Sequence, residues 1–324
     1  MKKPGKILSI VFKILIGAGS FGIIYLRLQN DLTPERLQVI AASLSSPKSL
    51  AAMVLCLLLI PVNWGIESYK WQLITAPVEK ISYANATRSV YSGVCLGNLA
   101  PGRATEFVAK IIYFHIGNRP KVTVLHFVSG MFQLAITVLA GFAALVHYLS
   151  TIAGSANWII WTTSTVGAVF LVALCLAVWK IDPLLHYLSI KISKGKEQEK
   201  MHYRFSGRLL LQMTGYSVLR YMVFFTQFAL LLAIFVPFGL NGAIVAGIAL
   251  YFLVTATIPM ISVLEAAIRA AIALVVFRDT GISDSALALT SVLLWLVNII
   301  LPSIAGYYFL LRRNFNFKLF RSGR

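Results

Sequence analysis

Acidic residues are scarce in this chain: 11 Asp and Glu stand against 29 Lys and Arg, a formal net charge of +18. Charge of either sign is thin, at 12% of 324 residues, where a soluble domain carries roughly 25%. Together with a mean hydropathy of +0.80 and apolar runs of about 20 residues, this excludes a soluble domain. Cysteine is nearly absent. Cys56, Cys95 and Cys175 lie in apolar runs without metal-ligand spacing and read as small buried hydrophobes. His115, His126, His147, His186 and His202 show no ligand spacing either. Neither H-E-x-x-H nor G-x-S-x-G occurs. No catalytic residue, metal or cofactor is assigned, and the chain is not read as an enzyme. The alternating pattern of a membrane barrel is missing. An all-α integral membrane protein is left, because only helices or closed barrels satisfy their backbone in lipid.

What is present is a short polar stretch inside this apolar background. Residues 98–110 read N-L-A-P-G-R-A-T-E-F-V-A-K, with Pro101 and Gly102 forming a break before Arg103, Glu106 and Lys110. Residues 257–269 repeat the plan: Pro259, a spacer, Glu265, then Arg269 four residues on. The offsets are 259 − 101 = 158 and 265 − 106 = 159. These offsets predict an internal repeat, with residues 1–150 and 151–324 as its halves.

Apolar runs at 7–26, 50–66, 122–148, 158–179, 209–235 and 286–311 predict six full spans. The first, behind Lys2, Lys3 and Lys6, reads as an uncleaved span. Residues 83–99 with 105–116, and 242–258 with 261–277, are short pieces on either side of the two breaks. They predict two re-entrant hairpins, or eight spans if both hairpins cross. The linker at about 180–208 is rich in Lys and Arg, as is the tail, so both termini are expected in the cytoplasm. The second half then repeats the first upside down, a transporter pattern whose site lies near the midplane.

The cations cluster at the ends of apolar runs, so their expected partner is the anionic lipid headgroup and not nucleic acid. Arg forks onto phosphate and Lys acts as a point charge. Arg103, Lys110, Arg220 and Arg269 are therefore candidates for holding a lipid phosphate, with Glu106 and Glu265 as their counter-charges. The return helices after the breaks would present N–H groups to an anion. Asn63, Glu67 and Lys70 share one helix face at i, i+4 and i+7. They read either as a solvated helix end or as the rim of a polar cavity. Trp64 and Trp71, seven apart, read as interfacial anchors.

The stretch 98–106 resembles the Pro-Gly-Arg…Glu signature of the lysylphosphatidylglycerol synthase transmembrane-region family. Residues 63–71 resemble that family's second-span motif, and 259–269 its late proline-to-glutamate motif. Thr105 stands where the family has glycine. The resemblance implies a stand-alone flippase-like protein of a bacterial cytoplasmic membrane, without the soluble aminoacyl-transferring domain. It implies lipid translocation and not lysyl transfer. A second reading is a non-transporting partner that presents lipid to an envelope-synthesis enzyme. A third is a polyprenyl-diphosphate phosphatase, which would want a second carboxylate where Lys110 stands.

Overall fold

The computed structural model describes residues 19–29, 31, 33–98, 103, 105–152, 156–179, 206–236, 241–258 and 264–312. Pro101, Gly102, Pro259, most of the first predicted span, most of the linker and the basic tail lie outside them. Twelve α-helices carry the described chain, and no strand occurs among these residues. They are α1 (Gly19–Leu28), α2 (Pro34–Leu44), α3 (Pro47–Thr75), α4 (Tyr83–Gly97), α5 (Glu106–Ile111) and α6 (Arg119–His147). Then follow α7 (Asn157–Trp179), α8 (Gly207–Ala233), α9 (Gly242–Thr257), α10 (Glu265–Val276), α11 (Asp284–Trp295) and α12 (Leu301–Arg312).

Four helical stretches are long and apolar enough to cross a membrane: Pro47–Thr75, Ile116–Thr151, Gly207–Ala233 and Asp284–Arg312. Shorter apolar helices occupy Gly19–Leu28, Asn157–Ala173 and Gly242–Thr257. The last long stretch is α11 and α12 joined by a π turn, Leu296–Ile300. That turn immediately precedes Pro302, where a regular helix would clash with the proline ring. Local chemistry starts several helices. Ser46, Ser82, Ser206 and Asn241 each accept a hydrogen bond from the backbone N–H three residues on, which satisfies an otherwise orphaned donor.

One predicted helix is shorter than its apolar run implies. The segment 105–116 contributes only the six residues of α5. Beyond it the chain turns, because tertiary bonds capture the backbone. The Tyr113 and Ser92 hydroxyls lie 3.0 Å apart. His115 N–H donates to Glu79 at 3.0 Å, and Arg119 Nε donates to the Phe114 carbonyl at 3.3 Å.

α3 and α8 cross the middle of the molecule antiparallel. Cys56 of α3 meets Gln227 of α8, while Asn63 and Glu67 further along α3 meet Arg220 earlier in α8. Two apolar cores flank this pair. One gathers buried residues from Trp64 to Phe132 and adds Met213 from α8. The other gathers residues from Phe228 to Leu294 and adds Cys56 from α3. α4 packs against α12, and α9 packs against α6. Glycine makes both approaches. A Cβ on Gly306 would run into the Tyr91 carbonyl of α4, and one on Gly141 into the Leu253 side chain of α9. Gly306→Ala is expected to cost about 1–3 kcal/mol or more, as overpacking does, because a backbone carbonyl cannot step aside. Gly215 has open space where its Cβ would sit. Ala there should stabilise by up to about 1 kcal/mol, so thermal unfolding of the two variants in detergent tests the packing.

Candidate functional site

The polar face of α3 is not a solvated helix end. Asn63 and Lys70 are fully buried and Glu67 is 8% exposed. Trp64 and Trp71 are core residues, not interfacial anchors. The Trp71 indole is fully buried, donates to Ser89 at 3.0 Å and meets the Phe114 ring edge-on. A seven-residue aromatic spacing describes a core face as well as a lipid interface, and here the core has it.

Glu67 is the hub. Arg220 Nη1 donates to it at 2.8 Å, Lys110 Nζ lies 3.5 Å away and Lys70 Nζ 3.6 Å. Arg220 Nε also donates to Asn63 at 3.0 Å, and Asn63 donates to Asn298 of the π turn at 3.3 Å. The Arg220 guanidinium packs 5.1 Å from the Trp64 ring and 5.3 Å from the Phe224 ring, within cation–π reach. Lys110 continues the network to Glu106 at 3.0 Å, and Glu106 lies 3.4 Å from Arg103. Arg103, Glu106, Lys110 and Arg220, up to 220 − 103 = 117 positions apart, thus join Glu67 and Lys70 of α3 in one cluster, buried or nearly so except at Arg103, whose side chain is 37% exposed.

The second half holds a smaller counterpart. Arg269 donates through Nε at 3.0 Å and Nη2 at 2.9 Å to one oxygen of buried Glu265. In both halves the glutamate pairs with the cation four residues on. Neither α5 nor α10 has a side-chain cap at its start, and α5 is too short to carry a useful helix dipole.

Two cavities, of about 190 and 700 Å³, meet on this cluster and share Trp64, Arg103, Gln133, Thr137, Arg220 and Ala256. The smaller brings Arg103, Arg220 and Arg269 onto one wall system. The larger adds Glu67, Glu106, Lys110 and His126. The walls are rich in polar atoms without a hydrogen-bond partner among the described residues: Trp64 Nε1, Trp295 Nε1, the Tyr221 hydroxyl, Gln133 Oε1 and both Nε and Nη2 of Arg103. Buried polar groups are nearly always paired, with protein or with ordered water, so these atoms have hydrogen-bonding capacity left for water or a ligand. His126, Gln133, Tyr221, Trp295 and Asn298 carry no spacing signal that sequence reading could use to bring them here. No cluster of three metal-ligating side chains occurs among the described residues.

Arg103 is also the one described non-glycine residue with positive φ, at 56°. An L residue there is strained by about 1–2 kcal/mol, and such strain concentrates at functional positions. Arg103→Gly and Arg103→Ala lose the same guanidinium, yet the Gly variant should unfold with about 1 kcal/mol more stability. Equal melting of the two would mean the backbone is not strained. A scan against protein-family models finds no match, and no curated protein is significantly similar to the chain.

Proposed function

We propose that the chain is a flippase-like membrane protein that moves an anionic phospholipid or a polyprenyl-phosphate lipid across a bacterial cytoplasmic membrane. The observation that carries this reading is the cation-lined cavity, walled by arginines from both halves of the chain and set among the long apolar helices. Buried ionisable groups at such depth are expensive and mark substrate pathways. Arg103, Lys110, Arg220 and Arg269 would hold the phosphate. Glu106, Glu265 and the Asn63, Glu67 and Lys70 face would position and balance them.

We also read the architecture as an inverted repeat with two re-entrant hairpins, α4–α5 and α9–α10. The helices of both pairs are too short for a hydrocarbon core of about 30 Å: the longest, α9, has 16 residues, or about 24 Å. Element order supports the repeat. Met213 and Cys56, which enter each other's cores, are 213 − 56 = 157 apart. The two glycine contacts match as well, with 253 − 95 = 158 for Leu253 and Cys95, and 306 − 141 = 165 for the glycines. The offset grows from 157–159 to 165 after the hairpins, and most of that growth matches the 12 residues of α10 against the six of α5. Gln133 and Asn298, also 298 − 133 = 165 apart, line the same cavity.

Purified protein in liposomes, loaded with labelled phosphatidylglycerol or polyprenyl phosphate, is the test. A flippase moves label between leaflets. A partner that only presents lipid to an envelope enzyme binds it and leaves the leaflet distribution unchanged.

A further inference from the structure

We propose that the cavity selects a dianionic phosphate monoester headgroup over a phosphodiester, an inference that rests on reading the cavity as a lipid headgroup site. The argument is a charge count. The connected cluster holds Lys70, Arg103, Lys110 and Arg220 against Glu67 and Glu106. Four cations face two carboxylates, a surplus of 4 − 2 = 2. Glu265 and Arg269 balance each other and leave the surplus unchanged. Asp and Glu supply no further carboxylate to either cavity wall among the described residues.

Surplus charge on a cluster that is buried or nearly so at every member but Arg103 is costly unless paired. The ligand that brings it to zero carries two negative charges. A phosphodiester leaves one cation uncompensated, and a zwitterionic headgroup leaves two. The unpartnered donors fit the same ligand. Trp64 is 3% exposed with its indole N–H unpaired at the wall, and Arg103 Nη2 makes no hydrogen bond among the described residues, while its Nε faces Glu106 at 3.4 Å. A terminal phosphate offers three oxygens to such donors, whereas a diester offers two non-bridging ones. The chemistry is shared by a lipid phosphate and by free inorganic phosphate. The apolar share of the smaller cavity's wall, including Phe224, Phe252 and Leu294, favours a lipid.

The test compares four probes at about pH 8, well above the second ionisation of a phosphate monoester near 6. Three are presented at equal mole fraction in neutral vesicles holding the full-length protein: phosphatidic acid, phosphatidylglycerol and additional labelled phosphatidylcholine. The fourth is inorganic phosphate alone. Binding is read by competition, and leaflet movement is recorded in the same vesicles. We expect phosphatidic acid to bind at least about tenfold more tightly than phosphatidylglycerol, and phosphatidylcholine least. Lys70→Met lowers the surplus to one without touching the cavity wall, so it should bring the monoester and diester to within about threefold. Arg103→Gln makes the same charge change on the cavity wall itself, so both lipids should bind more weakly and the ratio between them should fall to within about threefold; it serves if Lys70→Met misfolds. Phosphatidylglycerol binding as tightly as phosphatidic acid in the wild type would overturn the monoester selection. If it also moves between leaflets, the transport reading survives that loss. No lipid bound and none moved would mean that the transport reading itself fails. Inorganic phosphate competing at the same concentration as phosphatidic acid would overturn the lipid source.

Discussion

Glu67→Gln is expected to destabilise the folded protein by about 3–5 kcal/mol, the cost of leaving buried charge uncompensated. Three cations lie within 3.6 Å of this one carboxylate. Glutamine keeps the shape and can still accept from Arg220, so the loss isolates the charge. The same change at Glu265 faces a single cation, Arg269, and should cost less. A paired change decides the mechanism. Glu67→Gln with Lys70→Met removes one charge of each sign, and Lys70 Nζ makes no hydrogen bond among the described residues. The double variant should recover half or more of the loss, giving a coupling energy well above the 0.3–0.5 kcal/mol or so seen for independent sites. Equilibrium unfolding in detergent measures both. A loss under about 1 kcal/mol for Glu67→Gln would mean that water screens the cluster and that the burial argument is wrong.

Some of this cluster is legible in the chain and some is not. Glu106 with Lys110, and Glu265 with Arg269, follow from helical spacing alone, since i and i+4 share a face. The shared face of Asn63, Glu67 and Lys70 is equally plain. The partner of that face is not. Glu67 meets Arg220 across 153 positions, and only the antiparallel crossing of α3 and α8 brings them together. His126 shows why isolated residues escape notice. It stands among apolar residues in the first half of α6, and its place beside Phe107 and Trp71 depends on how α5 folds back on α6. The length of α5 is hidden from the sequence for a related reason. Residues 111–116, I-I-Y-F-H-I, are mostly apolar and free of proline and glycine, so nothing local stops the helix. Glu79 and Ser92, both from before the break, stop it instead.

The six-span count depends on composition, and four long apolar helices are described. α7 adds 23 helical residues with Trp158 and Trp161 exposed at 70% and 73%. Large exposed apolar side chains of this kind also lie along α3, as Leu50, Leu58 and Val62 do. On a soluble protein such a surface would aggregate. Around a buried polar cluster it describes a protein whose outer solvent is hydrocarbon and whose inner site is polar and charged.

The largest functional effect is expected at Arg269, and the structure decides which variant can show it. Arg269→Ala alone leaves Glu265 as a buried, unpaired carboxylate, and removing one partner of a buried pair costs about 3–5 kcal/mol. Lost transport in that variant could be lost folding. Arg269→Gln combined with Glu265→Gln removes both charges and keeps two side chains that can bond each other. This double variant should fold, and lipid movement should cease. If Arg269 touches the phosphate, a charge-assisted bond of about 1.5–3 kcal/mol disappears, so binding should weaken by about ten- to a hundredfold. Arg269→Lys should recover part of it, because the point charge remains and the fork is lost. Glu265→Gln alone separates two roles for the glutamate. If Glu265 only holds Arg269 in place, the folded variant stays active with or without a pH gradient. If Glu265 carries a proton, the folded variant is inactive and the wild-type rate follows the gradient. Full lipid movement by the Gln–Gln double variant would remove Arg269 from the phosphate site and leave Arg103 and Arg220 to hold it.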